Sequence, residues 1–115
     1  MITTSIILLL LAAVFGLYMA ARIFGGQLPP WFAVIVHGLL AAGGLLVVLY
    51  AVLTGAQGTT LVAGAVLLVI AALGGFYMFS FQLRKLAPPK PVVVMHAGAA
   101  VIGVVCLLAN AMGMA

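Results

Sequence analysis

The chain contains no aspartate and no glutamate, and only four of its 115 residues are lysine or arginine. Without carboxylates it lacks the acid pair of glycosidases and the acid that orients the histidine of a catalytic triad. Proton- and sodium-coupled transporters usually depend on an intramembrane carboxylate as well. The absent acids argue against hydrolases and ion-coupled transporters, and they leave a histidine relay as the remaining way to move protons.

Cysteine is nearly absent too, since Cys106 is the only one in the chain. A single thiol cannot form an intrachain disulfide, and in an apolar stretch it is expected to be a small packing residue. Zinc usually takes four ligands, whereas this chain offers two histidines, His37 and His96, and a thiol ten residues past the second (106 − 96 = 10). Copper(I) held by histidine and methionine is a weaker alternative.

Apolar residues, in contrast, dominate the composition. Hydrophobic residues make up 69% of the chain and charged residues 3%. A soluble domain leaves much of its surface in water and could not hide so much apolar area. The apolar runs are long enough to cross a bilayer as helices, and the alternation typical of membrane strands is absent. We predict an all-α integral membrane protein with one transmembrane domain over 1–115.

Four membrane-spanning helices are predicted from the apolar runs and the residues between them. Paired prolines precede the second and fourth runs, and proline fits a helix start because its missing N–H is not needed there. The N-terminal run lacks the basic flank of a signal peptide, so it is interpreted as a retained helix. The predicted spans are 2–22, 31–53, 60–82 and 91–112.

The cations indicate how the bundle is oriented. Arg22 lies in the first connection, and Arg84, Lys85 and Lys90 lie in the third, whereas the second connection carries no charge. The positive-inside rule therefore places both basic connections in the cytoplasm and both termini outside. Anionic lipid headgroups, rather than nucleic acid, are the expected partners of these cations. The small size of the chain favours a bacterial inner membrane.

The two halves of the chain match at an offset of 59 residues (96 − 37 = 59). Pro-Pro, His and Gly-x-Tyr-Met coincide in one register, which chance matches of Leu, Val and Ala would not produce. We predict a tandem repeat of a helical hairpin, with repeats at about 1–56 and 57–115. The identical positions in the first half are Ala12, Ala13, Gly16, Tyr18, Met19, Pro29, Pro30, Val34, His37, Ala41, Gly44 and Leu49.

A repeated hairpin would place the two histidines at equal depth, on the second and fourth helices, which lie diagonally in an up-down bundle. Small residues accompany both histidines, and they allow two interpretations. One is close packing of helices, and the other is a cavity for a flat cofactor. The small residues are Ala41 and Gly44 beside His37, Ala100 and Gly103 beside His96, and Gly16 and Gly75 at the same depth on the first and third helices.

With His37 and His96 in alternate helices, the chain resembles the membrane four-helix b-type cytochromes, in which imidazole is an axial ligand of haem iron. The resemblance covers most of the chain, with Gly16, Gly44, Gly75 and Gly103 as possible ring-facing positions. Many such cytochromes hold two haems with four histidines. This chain has two histidines, so the resemblance implies a single haem b. It also implies one-electron transfer with a quinone, an oxygen species or a redox protein.

Three cations are candidate partners for the propionates of such a haem, because charge-assisted bonds would form at the cytoplasmic rim. They are Arg22, Arg84 and Lys90. Tyr18 and Tyr77 are expected in an interfacial aromatic belt, where either could also bond a propionate or a quinone.

A different class of function stays open, since histidines can also bond neighbouring helices. In this alternative the protein is a non-catalytic accessory subunit that contacts lipids, other membrane subunits or a second copy of itself. The chain also looks like small four-span membrane proteins common in bacteria, a likeness that implies no function. Whether the protein is an enzyme is left open.

Overall fold

Four α-helices form the structure, a computed structural model that describes residues 1–114. They confirm the four predicted spans, with ends that differ by no more than two residues. Each has 22 to 25 residues, or about 33 Å and more, enough to cross a hydrocarbon layer of about 30 Å. The helices are α1 (Ile2–Phe24), α2 (Trp31–Leu53), α3 (Thr59–Leu83) and α4 (Lys90–Ala111).

The prolines begin helices as the sequence predicts. Pro30 and Pro89 are the residues immediately before α2 and α4, and both have extended backbone. After α1 the chain turns through Gly26 at φ 82°, and after α3 it turns through Lys85 at φ 58°. The two basic connections therefore use the same left-handed turn, although only one places glycine there.

The helices form an up-down bundle in which each hairpin is the tightest unit. α1 packs along α2 and α3 along α4, with smaller contacts between α1 and α4 and between α2 and α3. Within residues 1–114 no close backbone contact joins α2 to α4, so these helices are diagonal. At the basic end, Gln82 Nε2 donates to Pro29 O at 3.0 Å. At the opposite end, Thr60 Oγ1 donates to Met114 O at 2.9 Å.

The outside of the bundle is apolar, which suits a lipid bilayer. Large hydrophobic side chains face outward on all four helices, with Leu17, Leu39, Phe76 and Met95 each at least 70% exposed. A water-soluble protein rarely exposes contiguous apolar surface of this extent. All four helices are long and apolar enough to span a membrane. The structure therefore confirms an all-helical protein of the integral membrane class.

The hydrophobic core fills only one half of the bundle. Its members come from the first half of α1 and α3 and the second half of α2 and α4, so they lie towards the end opposite the basic connections. This leaves the half next to the basic connections to other residues. The core consists of Ile6, Leu9, Val48, Leu61, Ala65, Leu68 and Leu107.

Two close helix crossings bound this core. In the first hairpin, buried Ser5 donates from Oγ to Gly44 O at 3.0 Å. In the second, a Cβ atom on Gly64 would lie 2.9 Å from Gly103 O, so the backbones of α3 and α4 touch. Ser5 and Gly64 are 59 residues apart (64 − 5 = 59). Each hairpin therefore places its small crossing residue at the same position.

Gly64→Ala is expected to destabilise the bundle, because its new methyl would meet backbone, which shifts less easily than a side chain. The expected loss is about 1–3 kcal/mol, typical of overpacking. Thermal unfolding of the detergent-solubilised protein measures it. Gly98→Ala is the control, since no atom lies within 4 Å of a Cβ at that position. Equal melting temperatures for the two variants would contradict the close crossing.

Candidate functional site

The structure brings the two histidines together. His37 is six residues from the start of α2 (37 − 31 = 6), and His96 is six residues from the start of α4 (96 − 90 = 6). Each therefore lies about 9 Å along its helix from the basic end. Their ring centroids are 6.2 Å apart and their planes cross at 69°. Two imidazoles from diagonal helices thus meet inside the half of the bundle that the hydrophobic core leaves.

One nitrogen of each imidazole bonds the neighbouring helix. Nδ1 of His37 lies 2.7 Å from Ala12 O, and Nδ1 of His96 lies 2.7 Å from Ala71 O. A carbonyl oxygen can only accept, so Nδ1 carries the hydrogen and donates it. In the neutral ring Nε2 is then left with a lone pair. The backbone of α1 and α3 therefore selects the same tautomer in both histidines.

Glycine makes this bond possible on both sides. A Cβ atom on Gly16 would lie 3.0 Å from Cε1 of His37, and one on Gly75 would lie 3.3 Å from Cε1 of His96. Real Cβ atoms rarely come so close. These glycines thus leave the space through which each ring reaches the carbonyl one turn earlier on the neighbouring helix.

The remaining nitrogen, Nε2, is available for a ligand. Among residues 1–114 neither Nε2 has a hydrogen-bond partner, although no fully buried side-chain nitrogen or oxygen is left without one. Each Nε2 is therefore not fully buried. Histidine ligands of metals typically donate from one ring nitrogen to a carbonyl and bind through the other. Both histidines have this arrangement.

The spacing of the rings fits two ligands on one metal ion. A metal–nitrogen bond of about 2 Å on each side separates the two nitrogens by about 4 Å and the ring centres by about 6 Å. The observed separation is 6.2 Å. The twist between the rings is compatible with this, because each imidazole rotates independently about its bond to the metal. Within residues 1–114 no group of three or more histidines, cysteines or acids forms a denser ligand set.

The other small residues predicted near the histidines have different surroundings. Leu9 occupies the space beside Gly44, and its Cγ would lie 2.7 Å from an added Cβ. Leu68 occupies the space beside Gly103, with its Cγ at 3.0 Å. Close helix packing therefore accounts for both glycines. Their role as ring-facing positions stays a prediction without a contact to support it.

Ala41 and Ala100 lie one helical turn beyond the two histidines and are half-buried. Alanine is the smallest side chain other than glycine, so these residues take up little space on the histidine-bearing faces of α2 and α4.

The predicted cationic partners lie at the basic end, and each already contacts another residue there. Arg22 donates from Nε and Nη2 to Leu28 O at 3.0 and 2.9 Å. Arg84 lies 4.5 Å from the Phe81 ring centroid, and Lys90 Nζ lies 5.6 Å from that of Phe24. Binding of an anionic group by the three cations stays a prediction.

Aromatic side chains surround the same end. Trp31 packs edge-on against Phe79 at 5.9 Å between ring centroids, and Tyr18 lies 6.5 Å from Phe32. Tyr77 is half-exposed and packs against the ring of Phe81 at 5.2 Å between ring centroids. The arrangement is typical of residues at a membrane–water interface.

Two buried polar residues were not singled out from the sequence. Ser5 bonds α1 to α2, and Gln82 bonds α3 to the first connection. In the sequence, both can be recognised as polar residues inside or at the edge of an apolar run. What it bonds depends on which helices are neighbours, which the sequence does not state.

Comparisons with other proteins leave the site to be interpreted from its own geometry. No family model, no curated protein and no solved structure matches the chain.

Proposed function

We propose that His37 and His96 are the two axial ligands of a single haem b, and that the protein transfers electrons in the membrane. The observation that carries this proposal is the pair of neighbouring imidazoles at 6.2 Å between ring centroids, each held by a carbonyl through Nδ1. When bound, haem supplies one-electron chemistry by cycling its iron between two oxidation states.

The residues around the histidines would hold the two rings in position before haem binds. Ala12 O and Ala71 O fix the tautomer and the direction of each ring, as second partners of metal-binding histidines commonly do. Gly16 and Gly75 admit the rings, while Ala41 and Ala100 limit side-chain volume next to them. Arg22, Arg84 and Lys90 supply positive charge at the nearer end of the bundle for anionic groups.

The proposal includes the origin and placement of the chain. We infer a tandem repeat of two hairpins, supported by equivalent histidine–carbonyl pairs at an offset of 59 in both members (96 − 37 = 59; 71 − 12 = 59). Both basic connections face the cytoplasm and both termini face outward, in a bacterial inner membrane. The electron partner is a quinone or a redox protein.

Absorption spectroscopy tests the haem directly. The protein is produced with ample haem supply, purified in detergent and reduced with dithionite. A Soret band and a sharp reduced α-band at one haem per chain are expected. A colourless protein of native mobility would overturn the proposal.

One observation favours a second candidate, an accessory subunit in which the histidines only join helices. Both Nδ1 atoms already bond a neighbouring helix at 2.7 Å, and such bonds contribute about 0.6 kcal/mol on average within membranes. A role of this kind leaves both Nε2 atoms without a purpose. It also gives no reason for the two rings to lie as close as 6.2 Å.

A further inference from the structure

The four cations lie at one end of the bundle, and no side chain of this sequence can balance their charge, because it holds no aspartate or glutamate. Arg22 bonds a loop carbonyl, and Arg84 and Lys90 each lie over an aromatic ring. Lys85 is exposed, and within residues 1–114 it takes part in no side-chain hydrogen bond or ring contact. Its ammonium group is therefore free to bind an anion.

Lys85 also occupies a backbone conformation that favours glycine. The turn that ends each helix contains a residue with positive φ, and after α1, α2 and α4 that residue is Gly26, Gly55 or Gly113. After α3 it is Lys85, at φ 58°, which corresponds to Gly26 at the offset of 59 (85 − 26 = 59). A side chain costs free energy in this left-handed region, whereas glycine adopts it readily. The turn itself therefore gives no reason for a lysine, and the charged side chain is left to be explained.

The turn at Lys85 lies at the depth expected for lipid headgroups. Trp31 and Tyr18 lie at the same end of the bundle, and their rings are typical of a membrane–water interface. Leu86, the residue after Lys85, is 49% exposed, and Lys90, at the start of α4, is exposed as well. The connection therefore presents two ammonium groups next to apolar surface. A molecule with an anionic head and an apolar body matches both.

We propose that the α3–α4 connection, residues 84–90, binds the phosphate of an anionic phospholipid, with Lys85 as its main contact. A lysine ammonium binds phosphate as a point charge, so it needs no shaped pocket. The sequence leads to anionic headgroups for all four cations alike, whereas the structure distinguishes the one connection that carries a free lysine. In the other connection the single cation, Arg22, already donates from Nε and Nη2 to Leu28 O. This inference does not depend on the haem.

A membrane lipid suits this connection better than a soluble phosphate or a nucleic acid. Salt screens exposed charges beyond about 10 Å, so a soluble phosphate is held only weakly by exposed lysines. A lipid adds the burial of its acyl chains against the apolar outer surface of the bundle, which keeps the phosphate close. Nucleic-acid binding uses a broad basic surface, whereas here one connection carries three cations and the other carries one.

Native mass spectrometry of the detergent-solubilised protein tests this site. Anionic phosphatidylglycerol and neutral phosphatidylcholine with the same acyl chains are titrated separately, and the lipid bound per chain is counted. We expect phosphatidylglycerol to bind more tightly, and Lys85→Gln to lower its affinity by about fivefold, as for the loss of one cation near an anionic surface. Equal affinity for the two lipids would overturn the proposal. Displacement of the lipid by inorganic phosphate or by a short oligonucleotide would do so too, since it would identify a soluble anion as the ligand.

Two further substitutions exchange the turn residues of the hairpins. Lys85→Gly is expected to weaken phosphatidylglycerol binding by about the same factor and to raise the melting temperature by about 2–4 °C, because glycine suits the turn. Gly26→Lys adds an ammonium group to the first connection and should strengthen binding, whereas Gly26→Gln brings the same backbone cost without charge and should not. Unchanged phosphatidylglycerol affinity in Lys85→Gly, or equal affinity in the two Gly26 variants, would contradict a role for the lysine charge at this turn.

Discussion

Replacing either His37 or His96 by alanine is expected to remove the haem from the purified protein. In the proposed site each imidazole would supply one of the two protein ligands of the iron, and the chain has no third histidine to substitute. Loss of a residue that merely orients a metal ligand weakens binding by 10–100-fold, so loss of a ligand should cost at least about 100-fold. The haem content per chain, measured by pyridine haemochrome, is expected to fall close to zero in both variants.

Two further substitutions at the same position separate ligation from helix bonding. His37→Gln keeps an N–H group that can donate to Ala12 O but cannot ligate iron, whereas His37→Met supplies a known haem ligand without a donor. If His37 ligates the iron, the methionine variant is expected to retain haem with an altered spectrum, and the glutamine variant is expected to lose it. Haem retained by the glutamine variant, or by either alanine variant, would contradict bis-histidine ligation.

The same pair of variants tests the accessory-subunit alternative. If the histidines only join helices, His37→Gln should melt like the unmodified protein, and His37→Met should lose about 1 kcal/mol with its hydrogen bond. Haem supply should then change neither melting temperature. The two hypotheses thus predict opposite rankings of the same variants, in measurements on the same samples.

Gly16→Ala is expected to have the second largest effect on haem binding, although Gly16 lies on α1, which carries neither histidine. The new methyl would stand 3.0 Å from Cε1 of His37, and that ring is held in place by its bond to Ala12 O. The ring must tilt or give up the bond, and either movement redirects Nε2. We expect haem affinity to fall by about 10–100-fold, measured by haem titration of the apoprotein.

Its controls lie in the same chain. Gly75→Ala should act in the same direction but more weakly, because the corresponding distance to His96 is 3.3 Å. Gly38→Ala, next to His37 on α2, faces open space and should leave the affinity unchanged. If Gly38→Ala weakened haem binding as much as Gly16→Ala, steric displacement of the imidazole would not be the cause.

The sequence predicted most of the fold because membranes impose simple rules. Apolar runs of about 20 residues must be helical in lipid, and prolines separate them, so the four spans agree with the helices to within two residues. The equal distance of His37 and His96 from their helix starts also followed from the spacing of prolines and histidines. These features depend on local pattern alone.

The roles of the small residues were less predictable, because a glycine leaves space without stating what fills it. Gly16 and Gly44 look alike in the sequence, yet the first faces an imidazole and the second a leucine. Gly74 on α3 likewise lies beside His96 of α4, at 3.7 Å from an added Cβ, which its sequence position does not state. Contacts of this kind depend on rotamers and on distances between helices.

By itself the sequence determined that this is a four-helix membrane protein with two histidines at one depth, because hydropathy and spacing are properties of the chain. Only the tertiary structure decided that the rings lie 6.2 Å apart and that Nδ1 of each is engaged by a carbonyl. The physical reason is that a ligand pair needs two side chains aimed at one point. That direction is set by how diagonal helices pack through their neighbours, not by either helix alone.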